Sequence, residues 1–88
     1  MDFNGRTALI TGAAGAIGKG VAAGFLKSGA RVFITDLNPQ AVEAAAKDLS
    51  PDGSGCQGLA ADVTQEGQVI EVVAAASEFL GDRIDILV

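Results

Sequence analysis

The run Thr11-Gly12-Ala13-Ala14-Gly15-Ala16-Ile17-Gly18 follows a short apolar stretch and precedes a helical pattern. Residues with little or no side chain let a chain turn sharply off a strand, approach a ligand closely and pack a helix tightly on a sheet. A helix starting there offers unpaired N–H groups and a positive dipole end, which suits a pyrophosphate. The spacing is not Gly-x-Gly-x-x-Gly, so a tight strand-to-helix turn without a ligand is the competing reading.

Asp36 stands 18 residues after Gly18, at the end of a second β-rich run. A carboxylate at that place can accept hydrogen bonds from a ribose 2′-hydroxyl. Its alternative role is a turn or cap, but Asn38 already supplies the cap. Leu37 follows Asp36, and Ala13 and Ala14 fill the glycine turn, so no Arg or Lys waits for a 2′-phosphate. A phosphate beside Asp36 would cost about 4 kcal/mol per charge pair at 4 Å and an effective dielectric near 20. NAD is favoured over NADP.

Asp62-Val63-Thr64 closes a third strand and leaves two readings open. Asp62 can accept from an adenine amino group while the Val63 backbone lines the ring. It can equally be a solvated strand-end aspartate, with Thr64 capping the next helix. The sequence has no His, Tyr or Trp, which removes the commonest general base, the phenolic acid and the usual metal ligand. No residue is therefore assigned a catalytic or metal-binding role. The single cysteine, Cys56, is expected to pack as a small apolar residue. Lys19, Lys27 and Lys47 are expected to be solvated on helices.

The elements that must hold these residues follow from a hydrophobic period that switches regularly. Thr7–Thr11 and Arg31–Thr35 read as strands buried on both faces. Between them the apolar positions Ile17, Val21, Phe25 and Leu26 give a helix to Ser28, with Gly29 as its C′ residue. Asn38-Pro39 opens a second helix through Val42, Ala45 and Leu49. Residues 50–55 form a loop, and Cys56 to Ala61 a weaker strand. Thr64 caps a third helix whose apolar face is Val69, Val72, Val73, Ala76, Phe79 and Leu80, ended by Gly81. Ile84–Val88 is the fourth strand. The order β-α-β-α-β-α-β calls for an α/β, Rossmann-type, doubly wound parallel sheet.

The 88 residues allow one domain, and the net charge of −5 argues against a phosphate-backbone nucleic-acid binder. The composition, 49% hydrophobic and 19% charged, is that of a folded chain. No stretch is apolar enough for a membrane helix, and the start has no signal-peptide pattern. One cysteine fits a reducing compartment, so a cytoplasmic location is expected. The fourth strand would be central in a complete sheet, yet the sequence stops inside it. A truncated N-terminal portion of a longer protein is the expectation.

Together, Thr11 to Gly18, Asp36, Asp62-Val63-Thr64, Asp82-Arg83-Ile84-Asp85-Ile86-Leu87-Val88 and the opening Phe3-Asn4-Gly5-Arg6-Thr7-Ala8-Leu9-Ile10 resemble the N-terminal part of a classical short-chain dehydrogenase/reductase. The turn fits that family's Thr-Gly-x-x-x-(Gly or Ala)-x-Gly, and Gly15 also satisfies the pattern of the extended branch. The resemblance implies that Gly12, Gly18 and the Ile17 backbone meet a pyrophosphate. It implies too that Asp36 binds the adenosine ribose, beside Leu37, and that Asp62 and Val63 hold the adenine. The implied parent is an NAD-dependent, homo-oligomeric enzyme moving hydride between the cofactor and a small secondary alcohol or ketone. The family's Asn-Asn-Ala-Gly, catalytic Ser and Tyr-x-x-x-Lys are absent, so the chain alone is expected to be inactive. The rival readings are a non-catalytic nucleotide-binding module, a strand-pairing assembly piece, and an extended-branch nucleotide-sugar epimerase or dehydratase.

Overall fold

Strand β1 (Thr7–Thr11) buries Thr7 through Ile10 without a break, because both of its faces are covered. It pairs in parallel with β2 (Arg31–Thr35) from Thr7↔Arg31 to Thr11↔Thr35. The computed structural model describes residues 4–81 and 83–88. Phe3 and Asp82, which belong to the family resemblance, lie outside the described residues. On the far side of β2 runs β3 (Cys56–Gly58), and beside β1 runs β4 (Ile86–Leu87), giving a four-stranded parallel sheet of order β3-β2-β1-β4. This is half of a doubly wound sheet, with the fourth strand next to the first.

Strand alternation sorts the core into two layers. Ala8, Ile10, Val32 and Ile34 face Ala22 of α1 (Ala16–Lys27) and Val42 and Ala45 of α2 (Pro39–Leu49). Leu9 and Phe33 point the other way, onto Val72, Ala76 and Leu80 of α3 (Glu66–Leu80). The caps follow the local chemistry. Asn38 Oδ1 accepts from the Gln40 and Ala41 N–H groups, with Pro39 opening the helix. Gly29 and Gly81 take the positive φ angles of 95° and 77° that end α1 and α3.

Four expectations need correction. The strand Cys56 to Ala61 stops at Gly58. The physical reason is that β2 itself ends: Asp36 turns its carboxylate onto the Leu37 N–H and the glycine-rich turn, so β3 has no partner strand to follow. Leu59 and Ala61 keep only single bonds, to the Ile34 and Asp36 carbonyls. Thr64 does not cap α3. Its N–H and hydroxyl both donate to Asp62 Oδ1, at 2.9 and 2.6 Å, and the helix begins two residues later behind Gln65. A side chain that can close a local turn competes with capping, and here the turn prevails.

The apolar spacing placed Phe25, Leu26, Val72, Ala76, Phe79 and Leu80 on packed faces, where they are, but it also placed Ile17, Val21 and Val73 there. Ile17 is 86% exposed and Val21 and Val73 are exposed as well. At the start of α1 the packed face is made by Gly18 and Ala22, because the helix lies close to the glycine turn there, and Phe25 and Leu26 continue that face toward its end. Lys27 and Lys47 are exposed as expected, Lys47 pairing with Glu43 along α2, and the half-exposed Lys19 pairs with Asp48 across α1 and α2. The fourth correction concerns the last strand, which is shorter than 84–88. Its pairing still extends beyond Ile86–Leu87: Asp85 N–H donates to the Thr7 carbonyl and Val88 N–H to the Leu9 carbonyl.

At the opposite end of the sheet from the glycine turn, Asp85 ties β4 to β1. Its Oδ2 accepts from the Thr7 N–H, and Arg83 donates to Oδ1 at 2.8 Å. The Arg83 hydrogen bond holds the Asp85 carboxyl below its usual value.

Candidate functional site

The C-terminal ends of β1, β2 and β3 lead into three loops, which carry Gly12, Gly15, Asp36, Leu37, Asp62 and Val63, while Ile17 and Gly18 lie in the first turn of α1. In an open parallel sheet this is the end where ligands bind, at the point where strand order reverses. Here that point is between β1 and β4.

The first loop turns at Gly12, whose φ of 65° requires glycine. A Cβ on Gly12 would meet nothing within 4 Å, so the space above the turn is open. Gly18 is the opposite case. A Cβ there would run into the Gly12 carbonyl and sit 2.8 Å from the Ala13 Cα. Gly18 thus lets α1 lie against the turn, and Gly12 lets the turn form. Gly15 is the N-cap of α1, has no side chain to cap with, and is followed by no acidic residue in the first turn. The first N–H groups of α1 have no intrahelical acceptor. The exposed Ile17 stands beside them. Such an end is complementary to an anion.

The second loop brings Asp36 onto the first. Asp36 Oδ2 accepts from the Ala14 N–H at 3.0 Å, and Oδ1 from the Leu37 N–H at 2.7 Å. Each carboxylate oxygen can accept more than one bond, so both keep room for a hydroxyl donor. Leu37 is exposed beside it. Thr35, immediately before Asp36, is 1% exposed, and its hydroxyl has no partner among the described residues.

The third loop carries Asp62 and Val63. Asp62 Oδ1 is taken by Thr64, and this hydrogen bonding holds the carboxyl below its usual value. The Asp62 N–H donates to Gln68 Oε1 at 2.8 Å. Gln68 was not singled out from the sequence. Its signal was a glutamine in the third position of a helix, the place from which a capping-box side chain reaches back.

The three loops thus bring an uncapped helix end, a bare glycine turn and the carboxylates of Asp36 and Asp62 to one end of the sheet. Cys56 stands apart from them, buried against α1 and α2, where desolvation pushes its thiol up to about 11 and leaves it unreactive. Two further features belong to the surface. An apolar groove of 340 Å³ opens between α3 and β4, lined by residues such as Val69, Val73, Ile84 and Leu87. No helix among the described residues is long and apolar enough to cross a membrane.

Comparison with known proteins identifies the family. Residues 6–88 match the short chain dehydrogenase family. An uncharacterized oxidoreductase of Bacillus subtilis, YxjF, is 43% identical over 83 residues, which are 94% of this chain and 32% of the relative. D-threitol dehydrogenase of Mycolicibacterium smegmatis is 42% identical across the whole chain and 34% of its own length. The chain therefore spans about a third of the relatives it matches. Among solved structures, 3-ketoacyl-(acyl-carrier-protein) reductase from Brucella melitensis, complexed with NADH, superposes with a TM-score of 0.89 at 37% identity, over 98% of this chain and 34% of that one. The Pseudomonas aeruginosa RhlG/NADP complex gives 0.82 at 40% identity, over the same shares. With sheet order, glycine turn and sequence all in agreement, the chain belongs to the short-chain dehydrogenase family, whose members are oxidoreductases that bind nicotinamide cofactors.

Proposed function

We propose that residues 1–88 are the N-terminal dinucleotide-binding portion of a larger, single Rossmann-type domain in a cytoplasmic, NAD-dependent oxidoreductase. The reaction is hydride transfer between the nicotinamide cofactor and a secondary alcohol or ketone. The observation that carries the reading is the bond from the Ala14 N–H to Asp36, which joins the second strand's carboxylate to the glycine turn. A ribose hydroxyl at that corner meets an acceptor, whereas a 2′-phosphate meets like charge. The nearest lysine on α1, Lys19, is engaged by Asp48.

In this reading Gly12, Gly15, Ile17 and Gly18 border the pyrophosphate, Asp36 and Leu37 the ribose, and Asp62 and Val63 the adenine. The nicotinamide ring supplies the hydride chemistry when it is bound. The residues of this chain bind and orient, and with no His or Tyr among them the proton-transfer groups lie outside residues 1–88. The apolar groove beside β4 supports a larger domain, since finished sheets cover such an edge. Relatives named D-threitol dehydrogenase and sorbitol dehydrogenase support the substrate class.

The test is a nicotinamide absorbance assay on the protein at its natural full length, with a panel of secondary alcohols and ketones. The expected result is turnover with NAD by the full-length protein and none by residues 1–88 alone. Absence of turnover across the panel would overturn the substrate class, and turnover by residues 1–88 would overturn the assignment of catalysis to other residues.

A further inference from the structure

The bonds around Asp62 account for every polar group of that residue but one. Its N–H is held by Gln68 Oε1 at 2.8 Å, and its carbonyl accepts from the Gln65 N–H at 3.0 Å. Its Oδ1 receives both the N–H and the hydroxyl of Thr64. Among the described residues, Oδ2 accepts nothing, and the Val63 N–H beside it donates to nothing. Acceptor and donor stand on neighbouring residues of one exposed loop. Adenine presents the matching pair along one edge, an amino donor at C6 and an acceptor at N1. Hypoxanthine reverses both, with an oxygen at C6 and an N–H at N1.

We infer that Thr64 and Gln68 are positioning residues that fix Asp62 so that its free oxygen, together with the Val63 N–H, selects an adenine over a 6-oxo purine. The inference rests on the proposed dinucleotide reading and adds to it the residues that set base selectivity. Thr64 acts on the carboxylate: with two hydrogen bonds to one oxygen, the side chain cannot rotate to offer either oxygen freely. Gln68 acts on the backbone. In a capping box the third helical residue bonds the N-cap N–H. Here Gln68 reaches past the N-cap to Asp62 and pins the loop to the first turn of α3.

The experiment compares dissociation constants for NAD and for nicotinamide hypoxanthine dinucleotide, measured on the protein at its natural full length. The native protein is expected to prefer NAD by about tenfold, the contribution of one hydrogen bond to a charged group. Thr64→Val is expected to bring that ratio near one, and Thr64→Ser, which keeps the hydroxyl, to restore it. Gln68→Ala is expected to reduce the ratio by about threefold without unfolding the chain, since Gln68 is exposed.

If Thr64→Val weakens both ligands equally, its role is structural and the inference fails. An unchanged ratio in both Thr64→Val and Gln68→Ala overturns it as well. A ratio that also survives Asp62→Ala would instead sink the placement of adenine at this loop. The failure of the positioning role and the failure of the site are thereby read from different variants.

Discussion

Replacing Gly18 with alanine is expected to lower stability by about 2 kcal/mol and to weaken dinucleotide binding more than tenfold. The added Cβ would collide with the Gly12 carbonyl and lie 2.8 Å from the Ala13 Cα, and both neighbours are backbone. Backbone cannot rotate out of the way as a side chain can, so α1 must move off the turn. That movement opens the packing of Ala13 and Ala22, both fully buried, and shifts the N–H groups at the start of α1. Gly20 and Gly24 provide the control within the same helix. A Cβ at either meets nothing within 4 Å, so alanine there should stabilise by about 0.5–1 kcal/mol through helix propensity and leave binding unchanged. Chemical denaturation and NAD titration of the three variants check both halves. If Gly18→Ala behaves like Gly20→Ala, the close approach of helix and turn has no part in binding.

Asp36→Ala is expected to produce the largest change in cofactor choice. Asp36 does two things at once: Oδ2 holds the Ala14 N–H of the glycine turn, and the carboxylate faces the place assigned to the adenosine ribose. Alanine removes an acceptor for the ribose, weakening NAD by about tenfold, and removes the charge opposing a 2′-phosphate. The bare Coulomb figure of about 4 kcal/mol overstates the second effect at a half-exposed site, so about 2 kcal/mol is the expected gain for NADP. The NAD-to-NADP preference should then swing by a few hundredfold, and Leu37→Arg added to Asp36→Ala should tighten NADP further. Parallel titrations of the native protein and the two variants give this directly. A native protein already preferring NADP, or a ratio untouched by Asp36→Ala, would contradict the assigned role.

The parts of this molecule legible in its sequence are those governed by neighbours along the chain. Asn38-Pro39 was readable as a helix start because the cap and the proline act within one turn, and Gly29 and Gly81 were readable as helix ends for the same reason. The four strands and their order followed from runs of apolar residues separated by helical periods. The glycine turn and Asp36 were legible as candidates through their position after strands. What the sequence withheld depends on distance in space. The length of β3 follows where β2 turns away at Asp36, whose carboxylate accepts from the Ala14 N–H, 22 residues earlier. Ile17 carries a large apolar side chain, yet Gly18 and Ala22 set which side of α1 meets the sheet, and periodicity that counts only large residues misses them. Thr64 has the chemistry of a cap, and only the geometry shows that Asp62 takes both of its donors. Gln68 is the third residue of its helix, a place that points to a reach back toward the N-cap but not to a bond as far as Asp62, six residues earlier.

The central claim is that the three loops at one end of the sheet form the adenosine and pyrophosphate half of a dinucleotide site. A crystal structure of the protein at its natural full length with NAD tests it most directly. The account predicts the pyrophosphate at the first N–H groups of α1 over Gly12, a ribose hydroxyl on Asp36, and the adenine amino group on Asp62 Oδ2. An adenosine bound at any other place, with Asp36 and Asp62 making no contact to it, would contradict the account.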